Sequence, residues 1–160
     1  VSSRKTTSGF TVIEMLIVIG IVVILTGIIV SAFQKFNRVQ SVNKDTETVL
    51  ETLRLARDQT LASKNENQYG VYFGSTTKII LFPGSSYNPW VITGSQIYFL
   101  HSGDTILSTS LNGGGNSVIF QHLTGATNQY GTVTVSSLTS SSSNNVIIYD
   151  TGLVQGPSSI

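Results

Sequence analysis

"GFTVIEMLIVIGIVVILTGIIV", residues 9–30, decides the architecture of this chain. Phe10 to Val30 is a run of 21 residues whose single charge is Glu14. As a helix rising about 1.5 Å per residue it would be about 32 Å long, matching a hydrocarbon core of about 30 Å. A charged side chain at the centre of such a helix costs about 2.5–3.5 kcal/mol, so Glu14 demands a reason. Three readings fit the stretch: a cleavable secretory signal, for which Val30-Ser31-Ala32 offers small residues at a cut; a plain anchor; and a membrane helix in which Glu14 meets a partner. The run exceeds the roughly 7–15 apolar residues of a signal peptide. Gly20 and Gly27 would let neighbouring helices approach closely. Arg4 and Lys5 precede the run and Lys35, Arg38 and Lys44 follow it, so positive charge does not fix an orientation.

Beyond Val30 the helical period continues to about Lys64 without a proline. Val42, Thr46, Val49, Leu53, Ala56 and Thr60 recur at spacings of four and three, a single stripe widened by Leu50 and Leu61. Glu51, Arg54 and Asp58 lie on the opposite face at spacings that allow ion pairs. One helix is therefore expected from Phe10 to about Ser63, apolar all round in its first half and amphipathic in its second.

After "KNENQ" (64–68) the period falls to two. "YGVYF" (69–73) and "TKIILF" (77–82) read as a hairpin, followed by strands at "QIYFL" (96–100), "SVIFQ" (117–121), "GTVTVS" (131–136) and "NVIIY" (145–149). "SLNGGGN" (110–116) and "SSLTSSSSNN" (136–145) read as loops, and Gln155–Ile160 as a frayed tail. The fold class is α+β: a long N-terminal helix packed on a C-terminal antiparallel sheet domain. The chain of 160 residues has no cysteine, which removes disulfides and thiolate chemistry.

Charge is distributed unevenly. Of the nine Lys and Arg residues only Lys78 lies beyond Lys64, and residues 79–160 hold two full charges, Asp104 and Asp150. Such a domain is solvated by hydroxyls and amides, and it lacks the cations that neutralise phosphates, so DNA is not an expected partner. No catalytic constellation emerges. His101 and His122, the only histidines, lie outside metal-binding spacings and read as strand-edge surface residues. Gly113-Gly114-Gly115 lacks the Lys-Ser/Thr of a phosphate loop. "SGDT" and "YDTG" bring two isolated aspartates, a poor donor set for calcium. Neither an enzyme activity nor a metal or cofactor is expected.

Gly9, Phe10, Thr11, Val12, Ile13, Glu14, Met15 and Leu16 resemble the N-terminus of type IV pilins and pseudopilins: a glycine, then Phe, a carboxylate at the fifth position and an unbroken apolar helix. The resemblance implies a leader of residues 1–9, cleaved by a prepilin peptidase between Gly9 and Phe10, and N-methylation of Phe10. Residues 10–30 would then be the membrane and filament-core helix, 31–64 its amphipathic continuation and 65–160 the head. Cutting creates a cation on the Phe10 amine, and Glu14 of the same or a neighbouring subunit can neutralise it. Each charge is costly alone and tolerable as a pair, and the pair would set register during assembly. The resemblance also implies Arg4 and Lys5 on the cytoplasmic side of the inner membrane and an exported head. Its partners would be membrane lipid before assembly, other pilins or pseudopilins and an inner-membrane assembly platform.

Three further stretches, "LRLARDQTLASKNENQYGVYF" (53–73), "VIFQHLTGAT" (118–127) and "VIIYDTGLV" (146–154), resemble landmarks of the H-type minor pseudopilins of type II secretion and the related FimT-like minor pilins. Ser31 stands where many major pilins have a proline, and their C-terminal cysteine pair is missing. Two functions follow: a structural minor subunit of a pilus or pseudopilus, or a DNA-uptake pilin whose head binds DNA.

Overall fold

The computed structural model describes residues 9–91 and 93–157. Most of the expected leader, with Arg4 and Lys5, and the last three residues of the expected tail lie outside that range. The chain divides into two compact units, Val1–Asn37 and Arg38–Ile160.

One helix, α1 (Val12–Leu61), gives the first unit its only described secondary structure and the second unit its first element. It begins two residues later than expected because Thr11 caps it. The Thr11 side chain accepts the backbone N–H of Glu14 at 3.3 Å, which leaves Gly9 and Phe10 outside the helix. Among the described residues of the first unit no apolar side chain is buried: Phe10, Ile13, Leu16 and Ile24 are all more than half exposed. The polar residues within and just beyond the run turn back on their own helix. Thr26 donates to the carbonyl of Val22 at 2.7 Å and Ser31 to that of Gly27 at 3.0 Å. A hydroxyl satisfied in this way needs no water.

The second unit holds the core. From Val42 onward α1 buries the expected stripe, with Val42, Val49, Leu53, Ala56 and Thr60 all at 0% exposure. Leu61 departs from expectation and is exposed, because the helix ends there. Ser63 adopts a left-handed conformation (φ 47°) before a short 3₁₀ turn, Lys64–Glu66. Among the described residues Glu51, Arg54 and Asp58 form no ion pair.

Two four-stranded antiparallel sheets follow. The first comprises β1 (Tyr69–Tyr72), β2 (Lys78–Pro83), β3 (Gln96–Phe99) and, after the intervening strand β4 (Asp104–Leu111), β5 (Ser117–Ile119), in the order β3-β2-β1-β5. The second has the order β4-β6-β7-β8, with β6 at Gly131–Ser137, β7 at Ser143–Ile148 and β8 at Val154–Gln155. Val71, Ile79, Leu81 and Val118 from the first sheet join Ile106, Val133, Val135, Val146 and Ile148 from the second, with the helix stripe, in one apolar cluster.

The sheets correct the sequence reading in three places. β4 was not expected, because a bulge between Ile106 and Ser108 breaks the alternation that marks a strand. The serine-rich loop shrinks to Leu138–Ser142: Ser136 pairs with Ser143, and Asn145 accepts from the Thr134 hydroxyl at 2.9 Å across β6 and β7. Their backbones supply the ladder; the side chains of Ser143 and Asn145 are exposed and that of Ser136 is buried. Gln155 belongs to β8, paired with Ile147, rather than to a frayed end.

Candidate functional site

The N-terminal motif has a definite local geometry. Thr11 and Glu14 occupy the first and fourth positions of a Thr-x-x-Glu capping sequence, so Glu14 lies in the first turn, where the helix macrodipole favours a carboxylate. The sequence reading includes Thr11 in the motif but not as a cap, although that spacing was there to be seen. Gly9 and Phe10 precede the cap as exposed, non-helical backbone. A Cβ added at Gly9 would meet nothing within 4 Å, and the same holds at Gly20 and Gly27. The fold itself therefore makes no demand for glycine at these three positions. Among the described residues one helix, α1, is long and apolar enough to cross a membrane, with a mean hydropathy of 3.0 over its most apolar 18 residues.

The three later stretches singled out in the sequence meet at one point in the second unit. Arg57 of α1 donates through Nε to the carbonyl of Gly125 at 3.3 Å, and Thr127 donates its backbone N–H to the carbonyl of Asp150 at 2.9 Å. Gly125 (φ +65°) and Gly152 (φ +78°) are left-handed, and a Cβ at Gly152 would collide with the Gly125 carbonyl. Here glycine is dictated by conformation and by close backbone approach together. The guanidinium of Arg57 is thus engaged in holding the helix to two turns of the sheet domain.

A buried polar cluster is the feature that the sequence reading did not find. Asp45 of α1 is 1% exposed and Asp104 at the start of β4 is 3% exposed. Asp45 accepts the backbone N–H of His101 at 2.9 Å and faces the His101 Nδ1 at 2.6 Å, while Asp104 accepts the Ser41 hydroxyl at 2.5 Å. Burial pushes the Asp104 carboxyl above its ordinary value of 3.8; the Ser41 and Ser137 hydroxyls draw it down, and the neighbouring Asp45 pushes it further up. Asp104 is therefore not isolated, as the sequence suggested, but joined by a second carboxylate. One signal for Asp45 was available: it lies three residues after Val42 and four before Val49, inside the buried stripe. His101 is a surface residue, 49% exposed, with one ring nitrogen committed to Asp45. No group of three or more metal-ligating side chains occurs among the described residues.

His122 is half-buried in the turn after β5, lining a shallow groove with Gln68, Gln121 and Gln129. Lys78, the lone cation of the strands, borders an open groove of about 560 Å³ with Tyr72 and Tyr87, whose rings stack at 3.9 Å. Lys78 is the only cation among the residues that line this groove. Compared with models of protein families, with curated proteins and with solved structures, the chain matches none.

Proposed function

We propose that this chain is a minor pilin or pseudopilin: a single-pass subunit of the inner membrane, cut between Gly9 and Phe10 and assembled into, or priming, a type IV pilus or a type II secretion pseudopilus. The observation that carries this reading is the placement of Gly9 and Phe10 as exposed backbone just ahead of a capped apolar helix, with Glu14 in its first turn. A peptidase needs an extended, accessible peptide at the bond it cuts, and Thr11 ends the helix before that bond. Gly9 has no structural duty within the subunit, which suits a residue selected by an external enzyme. Glu14 is the one charge in the run, and cleavage would supply its counter-charge on the Phe10 amine of the same or the next subunit. The head serves as a structural and contact module without catalysis.

Co-expression with a prepilin peptidase, followed by intact-mass measurement, tests the reading. The expected mature chain begins at a methylated Phe10, and Gly9→Val blocks the cut without disturbing the head. A mature chain beginning at Phe33, after Val30-Ser31-Ala32, would identify an ordinary secretory signal and end the pilin reading.

A further inference from the structure

The chain first crosses from one sheet to the other in the turn from His101 to Asp104, between β3 and β4. The turn is closed by its own backbone, with the Asp104 N–H donating to the His101 carbonyl at 3.0 Å. Helix α1 grips it at both ends. Ser41 and Asp45 are four residues apart and so project from one face of the helix. Ser41 donates to the Asp104 carboxyl at 2.5 Å, and Asp45 accepts the His101 N–H at 2.9 Å. The adjacent Leu100 N–H is held differently, by the Thr77 carbonyl at 2.9 Å, and owes nothing to the helix.

Both prongs of this grip end on buried carboxyl groups, and the two groups are neighbours. Asp45 already meets two donor positions on His101, its backbone N–H and its ring Nδ1. Nδ1 carries a proton in the imidazolium and in one neutral tautomer alike. Asp45 is therefore kept as an acceptor, and a proton held by the pair belongs on Asp104. The groups that face Asp104 are Ser41 and Asp45 from α1 and Ser137 from β6. Lys44 and Glu47, which flank Asp45 in the sequence, are exposed. Among the described residues the one ion pair is that of Asp45 with His101, so no lysine or arginine offsets the second carboxylate.

We infer that Ser41, Asp45, His101 and Asp104 form a proton-operated latch between α1 and the turn that joins the two sheets, closed while Asp104 holds a proton and opening more readily once that proton is lost. Protonated, Asp104 can donate to Asp45 while still accepting from Ser41. Ionised, it faces a second carboxylate in a site sealed from water, where like charges are costly. Opening lets water reach both carboxylates and releases the His101 N–H from Asp45. Burial pushes the Asp104 carboxyl above 3.8 in the closed state, and opening returns it toward that value. One proton is then released per opening between the two values, so the opening constant rises about tenfold per pH unit there and is level on either side. The latch is local to one turn and independent of the pilin reading.

Hydrogen exchange on the full chain in detergent tests this, read at single amides by mass spectrometry and corrected for the intrinsic pH dependence of exchange. The His101 amide reports the latch, and the Leu100 amide beside it reports the sheet alone. In the wild type, protection of His101 is expected to fall about tenfold per pH unit above 3.8 and then level off, while that of Leu100 stays constant. Asp104→Asn, which has no proton to lose, is expected to make His101 protection independent of pH. Asp45→Asn, which keeps an acceptor for the His101 N–H and removes the neighbouring charge, is expected to weaken the pH dependence; circular dichroism verifies that each variant is folded. Protection of His101 that is level in the wild type, that follows Leu100 at every pH, or that keeps its full pH dependence in either folded variant would each overturn the inference. The last of these would assign the titration to His101 itself.

Discussion

The two units of this chain solve opposite solvation problems with the same helix. Up to Asn37 the apolar side chains point outward and the hydroxyls of Thr26 and Ser31 turn inward onto helix carbonyls. From Arg38 onward the order reverses: Val42, Val49 and Leu53 are sealed from solvent, and the far side of the helix carries charge. Glycines follow the same division. Gly20 and Gly27 touch nothing, whereas Gly125 and Gly152 are held by left-handed backbone and by neighbours a Cβ would strike. The first unit carries a helix segment apolar enough to cross a membrane, and the second buries its apolar residues in a core. The acidic residues differ too: Asp45 and Asp104 are buried with partners within their own unit, whereas Glu14 is exposed.

The largest effect that would break this contrast is at Glu14. Glu14→Leu is expected to leave insertion and cleavage intact, since it removes a charge from the run, and to abolish recovery of the chain in sheared filaments or in crosslinks with other pilin-like subunits. Recovery at the wild-type level would show that Glu14 has no partner beyond its own helix cap.

Paired leucine truncations sharpen the contrast. Leu53→Ala opens a cavity in the sealed core and is expected to cost about 2–5 kcal/mol, whereas Leu16→Ala, at an exposed position in the first unit, leaves the stability of the second unchanged. Thermal unfolding of the full chain in detergent, followed by the β-sheet signal in circular dichroism, measures both. A smaller effect is expected at Asp104. Its carboxyl is pushed above 3.8 in the folded state, so the folded chain binds the proton more tightly than the unfolded one. The resulting stability is fully present below 3.8 and is lost as pH rises through the raised value. Mild acidification should therefore raise the melting temperature of the wild type. Asp104→Asn should raise it at neutral pH and flatten that dependence, with asparagine still accepting from Ser41. The smallest expected effect is none: titration with duplex DNA at physiological salt should show no appreciable binding, because residues 65–160 hold Lys78 as their one cation against Glu66, Asp104 and Asp150. Micromolar binding that weakens steeply with salt would restore the DNA-uptake reading.

What the sequence alone determined was whatever local periodicity encodes. The uninterrupted apolar run, the change to a one-sided stripe after Val42 and the later switch to alternation specified a long helix followed by strands, because side-chain direction repeats every 3.6 residues in one and every two in the other. Six of the strands were legible for that reason. β4 was not, because its bulge shifts the alternation midway, and β8 was not, because two residues are too few to show a period. Only the tertiary structure decided which distant polar groups meet. Asp45 and Asp104 are 59 residues apart in sequence yet share one buried cluster, and Arg57 reaches turns that lie on two later segments. Asp104 looks like an ordinary surface residue until Ser41 of the helix is laid against β4. Burial then raises its pKa, because the cost of a charge depends on what surrounds it in space and not on its neighbours in the chain.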